Sequence, residues 1–422
     1  MKNQRVALIG GSRIPFARSF TNYSEATTQE LMTAALAAVV KKFNLQGKRL
    51  GDVSLGAIMK NSADWNLARE SLLGSGLDPH TPGFDIQRAC GTGLEALILV
   101  ANKITLGQIE CGIAGGVDSN SDLPIGLSRE FARKFFKFGM AKGLTQKLGP
   151  LTQFRPKDLK PTLPAVVEPR TGLSMGQHCE RMAKEWKVSR EEQDVLALAS
   201  HQNAAKAWEE GFYGDLVTEF HGVKKDTFVR KDTTLEKMAK LKPAFDFKAG
   251  TLTAANSSPL TDGASAVFLA SEEYAKKNNL PVLAYFRDGQ VAAVDFVHGE
   301  GLLMAPTAAV SELLDRNEMK LQDFDFYEIH EAFAAQVLCT LKAWESADFC
   351  KEKLGKSAPL GSIDRKKLNV VGSSIALGHP FAATGGRIAA TLAKLLDQKG
   401  SGRGLISICT GGGMGIAAIF EK

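Results

Sequence analysis

Cys90 lies in Arg88-Ala89-Cys90-Gly91-Thr92-Gly93, directly ahead of a predicted helix. A helix N-terminus carries partial positive charge and free N–H groups, which together stabilise a thiolate and lower the thiol pKa. Gly91 and Gly93 leave room for a reactant to reach the backbone. The same segment also reads as a buried cysteine packed as a small hydrophobe. Cys409 closes the apolar run Leu405-Ile406-Ser407-Ile408 and precedes Thr410-Gly411-Gly412-Gly413. A thiol at a strand end beside a glycine loop can reach a pocket whose N–H groups face an anion; the plainer reading is a core cysteine before a turn. In Leu377-Gly378-His379-Pro380, the proline pushes the histidine backbone towards extended geometry, and a histidine there can serve as general base or oxyanion donor. His330-Glu331-Ala332-Phe333 follows the strand-like stretch Phe324–Ile329, the end at which α/β folds place ligand contacts. It also reads as a helix start, with Glu331 favourable near the N-terminal dipole. The chemistry open to this set is attack by sulfur, with a proton acceptor, a second acid and N–H donors for a developing anion.

Strand-like and helix-like segments alternate along the chain and must position these residues, which predicts an α/β architecture. Val6–Ile9 reads as a buried strand, Thr28–Phe43 as an amphipathic helix and Val53–Met59 as a strand. Gly91–Leu106 reads as a helix rich in Ala and Leu, and Cys111–Ala114 as a strand ending at Gly115-Gly116. The order returns near the C-terminus: His379 and its small-residue turn, a helix over Arg387–Leu396, then the strand Leu405–Cys409 and its glycines. Two copies of one α/β unit are predicted. Between them, from Leu123 to Gly250, strand signals are few and Pro and basic residues many, so this stretch reads as an inserted loop domain. Within it Leu127, Phe131, Phe135, Phe138 and Leu148 could line one helix face. Gly139 and Gly143 predict a kink or a hairpin.

The composition is that of a globular protein, 44% hydrophobic and 23% charged. The segment from Leu123 to Arg170 holds ten basic and three acidic residues, so its +7 accounts for all of the chain's +6. Such a patch favours an anionic partner: cofactor phosphates, a membrane surface or an acidic protein. No stretch is long and apolar enough to span a membrane, and the opening apolar run is too short for a secretory core. A cytoplasmic location with free thiols is expected. No Cys-x-x-Cys pair exists, and Ala334 stands where a zinc-binding helix beginning at His330-Glu331 would need its second His, so no metal is expected.

Taken together, the four segments around Cys90, His330, His379 and Cys409 resemble the signature motifs of the thiolase family, in order, over nearly the whole chain. Val6–Phe16, Thr171–Gly176 and Thr251–Val267 are similar to further segments of that family. The resemblance implies a layered αβαβα fold with five-stranded mixed sheets in two duplicated halves. Residues 1–122 and 251–281 would form the N-terminal half, 123–250 the loop domain and 282–422 the C-terminal half. It implies Cys90 as the nucleophile that takes the acyl group, His379 as its activator and Cys409 as the acid–base group for the leaving enolate. His330 stands where most of the family has Asn in an oxyanion hole, a departure that resembles the β-subunit of the fatty-acid-oxidation trifunctional complex. The N–H groups of Cys90 and Gly411 would form a second oxyanion hole, and Met175 and Ser258 would line the pantetheine channel. Ser373 and Ala382 replace residues that are usually Gly.

The activity so implied is thiolysis of 3-oxoacyl-CoA by CoA through an acyl-Cys90 enzyme in fatty-acid β-oxidation, with CoA and acyl-CoA as substrates and no cofactor. Condensation of two acetyl-CoA molecules is the alternative. A β-ketoacyl synthase is disfavoured by Cys409, and a non-catalytic lipid-binding subunit by retention of Cys90, His379 and Cys409. The implied partners are a second copy or a larger assembly, a hydratase/3-hydroxyacyl-CoA dehydrogenase α-subunit and a membrane surface touched by the insertion; no nucleic acid is expected.

Overall fold

Alternation along the strands sorts the apolar residues into three cores. In the strand Val6–Arg13 (β1), Ala7 and Ile9 face one core, while Val6 and Leu8 face another. The structure, a computed structural model, describes residues 4–422, the side chains of 150 and 151 excepted. Its further strands are β2 (Ala17–Arg18), β3 (Asp52–Gly56), β4 (Gly83–Ile86), β5 (Cys111–Asp118), β6 (Thr261–Ser271), β7 (Ala284–Ala293), β8 (Phe326–Ile329), β9 (Arg403–Thr410) and β10 (Met414–Glu421). The N-terminal helices are α1 (Thr28–Lys42), α2 (Leu67–Gly74) and α3 (Thr92–Thr105). The insertion holds α4 (Arg129–Met140), α5 (Leu144–Thr152), α6 (Met175–Glu185), α7 (Arg190–Glu209) and α8 (Leu235–Ala239). The remainder carries α9 (Glu272–Lys277), α10 (Ala305–Arg316), α11 (Ala334–Glu345), α12 (Ala347–Leu354), α13 (Ser374–Leu377) and α14 (Thr384–Lys399).

The strand order is β4-β3-β5-β6-β1-β7-β10-β9-β8. Five strands come from the first half and four from the second, and β1 and β7 pair over Val6–Leu8 so that the two sheets run together. An isolated bridge between Tyr327 and Leu368 lies beside β8, at the outer edge of the second set. Helices α3 and α14 contribute to the central core with the inner faces of β9 and β10 (Ile406, Ile408, Ile416, Ala418), while α1 and α2 cover one outer face and α10 and α11 the other. The result is the layered, duplicated α/β arrangement.

Helix α14 starts at Thr384, ahead of the predicted Arg387, and takes Gly385 and Gly386 into its first turn. Glycine is a poor helix former, but here tertiary packing decides: a Cβ on Gly385 would sit 2.1 Å from Leu94 N. Strand β3 ends at Gly56, before the predicted Met59, where Ile58 and Met59 turn to donate their N–H groups to Asp118 Oδ1. The insertion's basic segment is a hairpin of α4 and α5. Phe131 and Phe138 meet Phe154 inside it, at ring-centroid distances of 5.4 and 6.4 Å. Of the five residues expected to line one helix face, Leu127 precedes α4, and Leu127, Phe135 and Leu148 are exposed. No helix among the described residues is long and apolar enough to cross a membrane.

Candidate active site

The chain leaves β4 and reverses at Arg88-Ala89-Cys90 before α3 begins. Ala89 has φ +43°, a left-handed conformation costly for a residue with a Cβ. Surrounding bonds hold it. Arg88 N donates to Thr92 Oγ1 at 2.8 Å, the Thr92 hydroxyl donates to Ala89 O at 2.7 Å, and Arg88 Nε pairs with Glu95 at 3.0 Å. Cys90 is thereby presented just before the helix N-terminus. Gly91 and Gly93 are there for packing against the protein rather than for reactant access alone: a Cβ on Gly93 would meet Ala382 O at 2.5 Å.

His379 follows Gly378, whose φ of +104° only glycine adopts readily. Its N–H donates to Thr261 Oγ1 at 3.0 Å, and its Nδ1 lies 2.6 Å from Thr384 Oγ1. His330 caps the end of β8, donating its N–H to Ser407 O at 2.9 Å, and its Nδ1 lies 2.8 Å from Ser374 Oγ. Helix α11 begins only at Ala334, so His330-Glu331 is a strand-end loop and not a helix start. Glu331 accepts from Ser200, Ile375 and Asn369, which braces that loop.

These segments converge. Cys90 Sγ and one ring nitrogen each of His330 and His379 lie within 4.8 Å of one another. The two imidazoles are in contact, with centroids 4.1 Å apart and planes at 47°. Both Nε2 atoms are buried without a hydrogen-bond partner among the described residues, which leaves them open to a reactant. A sulfur and two imidazoles so arranged also match a soft-metal donor set. The Gly411 N–H reaches the Cys90 sulfur, as does the N–H of Cys90 itself. Cys409, buried at the end of β9, has Cys90 among the groups that act on its thiol.

Burial sets the proton inventory. It pushes the Cys90 thiol up to about 12, against the N–H of Gly411, with Asp118 and Glu168 adding to the rise. The lowered thiol expected from sequence is therefore not what the resting site holds: burial outweighs the N–H groups of Gly411 and Cys90. Burial, followed by the Arg387 charge, takes His379 down to about 3, and His330 is lowered by burial, His379 and Arg387. Burial thus favours a neutral thiol beside two neutral imidazoles in the resting site.

Met175 lies near the Gly411 turn, its Sδ 3.9 Å from where a Cβ on Gly411 would stand. The Ser258 N–H donates to Ala332 O at 3.0 Å, tying the β6 approach to the His330 loop. Sequence reasoning passed over Asp118, Ser374, Arg387 and Glu168. Asp118 ends an apolar strand and accepts from Ile58, Met59 and Ala382, joining the β5 end to the His379 turn. Arg387, a cation set among Gly, Ile and Ala in the first turns of α14, is the signal a sequence reading could have used. Glu168 accepts from Gly412 N at 2.9 Å from the inserted domain, and no local signal marks it.

Fold and site together define a protein of duplicated α/β halves that bring one buried cysteine thiol beside two buried imidazoles. Residues 6–273 match the thiolase N-terminal domain and residues 280–422 the thiolase C-terminal domain. The chain belongs to the thiolase family and is an acyltransferase. It is 41% identical over 426 residues to proteins named 3-ketoacyl-CoA thiolase from Yersinia pestis and Yersinia pseudotuberculosis, covering 100% of this chain and 97% of theirs. Among solved structures it is similar to human mitochondrial 3-ketoacyl-CoA thiolase, with TM-score 0.82, 29% identity and 100% of each chain covered. Bacillus anthracis acetyl-CoA acetyltransferase matches with TM-score 0.82 and 31% identity, over 100% of this chain and 99% of that one.

Proposed function

We propose that this thiolase cleaves 3-oxoacyl-CoA with CoA to give acetyl-CoA and a shortened acyl-CoA, as a step of fatty-acid β-oxidation in the cytoplasm. The observation that carries the reading is the 4.8 Å cluster of Cys90, His330 and His379 beneath the Gly411 N–H. His379 takes the Cys90 proton as the sulfur attacks the 3-carbonyl carbon. The electron pair moves onto oxygen, where N–H donors receive it. Loss of one such donor costs about 10²–10³ in kcat. The C2–C3 bond then breaks, and its pair leaves as the acetyl-CoA enolate, which Cys409 protonates at carbon. CoA loses its thiol proton to the site and attacks the acyl-Cys90 thioester, and the departing Cys90 sulfur regains a proton. The scheme consumes only CoA and acyl-CoA. The neutral resting thiol fits it, since sulfur gains charge only as the oxyanion is there to receive it.

Met175, which lies near the Gly411 turn, would receive the pantetheine, with Ser258, and the basic residues of the insertion the phosphates. We also assign the exposed apolar face of the α4–α5 hairpin to contact with an anionic membrane surface, and expect at least a homodimer working with a hydratase/3-hydroxyacyl-CoA dehydrogenase subunit. The test is intact-mass analysis of the protein mixed with a medium-chain 3-oxoacyl-CoA, with CoA withheld. An acyl adduct on Cys90, absent from Cys90→Ala, is expected. An unmodified protein would end the reading. Faster turnover of acetoacetyl-CoA than of the longer substrate would favour acetyl-CoA condensation instead.

A further inference from the structure

Two imidazoles stand beside one thiol, and only one can be its base. Arg387, 2% exposed on α14, donates Nη2–H to Ser374 Oγ at 2.7 Å, with longer contacts to Ser373 Oγ at 3.4 and 3.5 Å. Ser374 is fully buried, and its Oγ lies 2.8 Å from His330 Nδ1. Arginine has donors only, so one Ser374 lone pair is taken. Among the bonds of the described residues, His330 Nδ1 is the one acceptor left for the Ser374 hydroxyl proton. Were Nδ1 to carry a hydrogen instead, the serine oxygen would face two donors and its own O–H would be buried unpaired.

We propose that Arg387 and Ser374 act as a positioning pair that locks His330 in the Nε2–H tautomer, making it a fixed donor to the substrate oxygen and leaving proton transfer from Cys90 to His379. His379 differs in one respect: Thr384 Oγ1 carries no cation. The threonine hydroxyl can donate to Nδ1 or turn and accept from it, so His379 can take a proton at Nε2 and return it. A second proton on His330 would have to point at an oxygen already held by a guanidinium. The positive charge of Arg387 lowers both histidines, which reinforces the bar on His330. The two catalytic roles are thus divided by what stands behind each ring, although the rings themselves touch.

This rests on the thiolytic reading for its consequence but not for its first measurement. Long-range ¹H–¹⁵N spectra of the whole protein labelled at histidine, assigned with His330→Asn and His379→Asn, report the tautomers directly. His330 is expected as Nε2–H throughout pH 6 to 8. A Nδ1–H signal for His330 in the unmutated protein overturns the proposal, whatever the enzyme's substrate. In Ser374→Ala the His330 signal should move towards a tautomer mixture. Its thiolysis kcat should fall about 10²-fold with KM within about twofold, while alkylation of Cys90 by iodoacetamide keeps its rate. Ser374→Thr should restore most of the kcat. Equal losses in alkylation and thiolysis, or no rescue by threonine, would reduce Ser374 to a packing residue and sink the idea. If the unmutated protein fails to cleave 3-oxoacyl-CoA while His330 is Nε2–H, the substrate reading falls and the tautomer lock stands.

Discussion

Gly93 in α3 and Gly385 in α14 meet backbone to backbone: a Cβ on the first would fall 2.5 Å from Ala382 O, and one on the second 2.1 Å from Leu94 N. The two duplicated halves are pressed together at the turns that carry Cys90 and His379. Overpacking of this kind costs about 1–3 kcal/mol, because neither helix has a flexible side chain to yield. Gly385→Ala should therefore lower the urea midpoint by that order and reduce thiolysis further than the stability loss explains, since it pries the two turns apart. A variant with unchanged activity at full folding would show that the crossing does not set the distance between them.

Much of this crossing was legible in the sequence as a repeated order of reactive residue, small-residue turn, helix and strand. Cys90, His379 and Cys409 stand in local contexts that point to chemistry, and the structure brings Cys90 and His379 to one point. What stayed hidden is what touches across the chain. Ser374 and Arg387 matter only because a distant strand end delivers His330 to them, and Glu168 only because the inserted domain folds back on Gly412. The thiol pKa was misjudged for the same reason. A helix start can be read locally, whereas burial is a property of the finished fold, and here burial is the largest cause acting on the thiol.

Asp118 is a second tie between the halves. Its Oδ1 accepts from Ile58 and Met59 at 3.0 and 2.9 Å, and its Oδ2 from Ala382 at 2.9 Å. Asp118→Asn keeps the shape but turns an amide NH₂ towards one of these donors, leaving a buried N–H unsatisfied at a cost of about 1–3 kcal/mol. The expected result is a lower denaturation midpoint and a displaced His379 turn, read as a fall in kcat. Full activity and stability in the asparagine variant would mean that these three bonds do not hold the His379 turn in place.

The pH dependence of stability follows from the neutral site. His379 falls from 6.5 to about 3 on folding, so the unfolded chain binds the extra proton between those values. Its contribution is complete above pH 6.5 and is lost as pH falls towards 3. Cys90 rises from 9.0 to about 12, so its contribution is complete below pH 9 and is lost as pH climbs through 12. Urea midpoints of His379→Asn should decline less steeply from pH 6.5 to 4.5 than those of the unmutated enzyme, and Cys90→Ala should flatten the alkaline limb. Parallel curves on either limb would place the charge elsewhere.

The α4–α5 hairpin shows its apolar side to solvent, with Phe136 at 66%, Met140 at 81% and Leu144 at 86% exposed. Its inner rings are satisfied, since Phe131 and Phe138 pack on Phe154 and Lys134 pairs with Asp158 at 2.7 Å. The outer face therefore meets solvent rather than a packing partner among the described residues. Flanking Arg and Lys residues each add roughly 1 kcal/mol near an anionic lipid surface, and the attraction weakens as salt screens it. Full-length protein should float with vesicles containing phosphatidylserine at low salt, less so at high salt and hardly at all with neutral vesicles. Phe136→Glu with Leu144→Glu should abolish flotation while leaving thiolysis intact, because neither side chain belongs to the site around Cys90. Absence of flotation by the unmutated chain, combined with salt-resistant co-purification of a hydratase/dehydrogenase subunit that the double variant loses, would assign the same face to a protein instead.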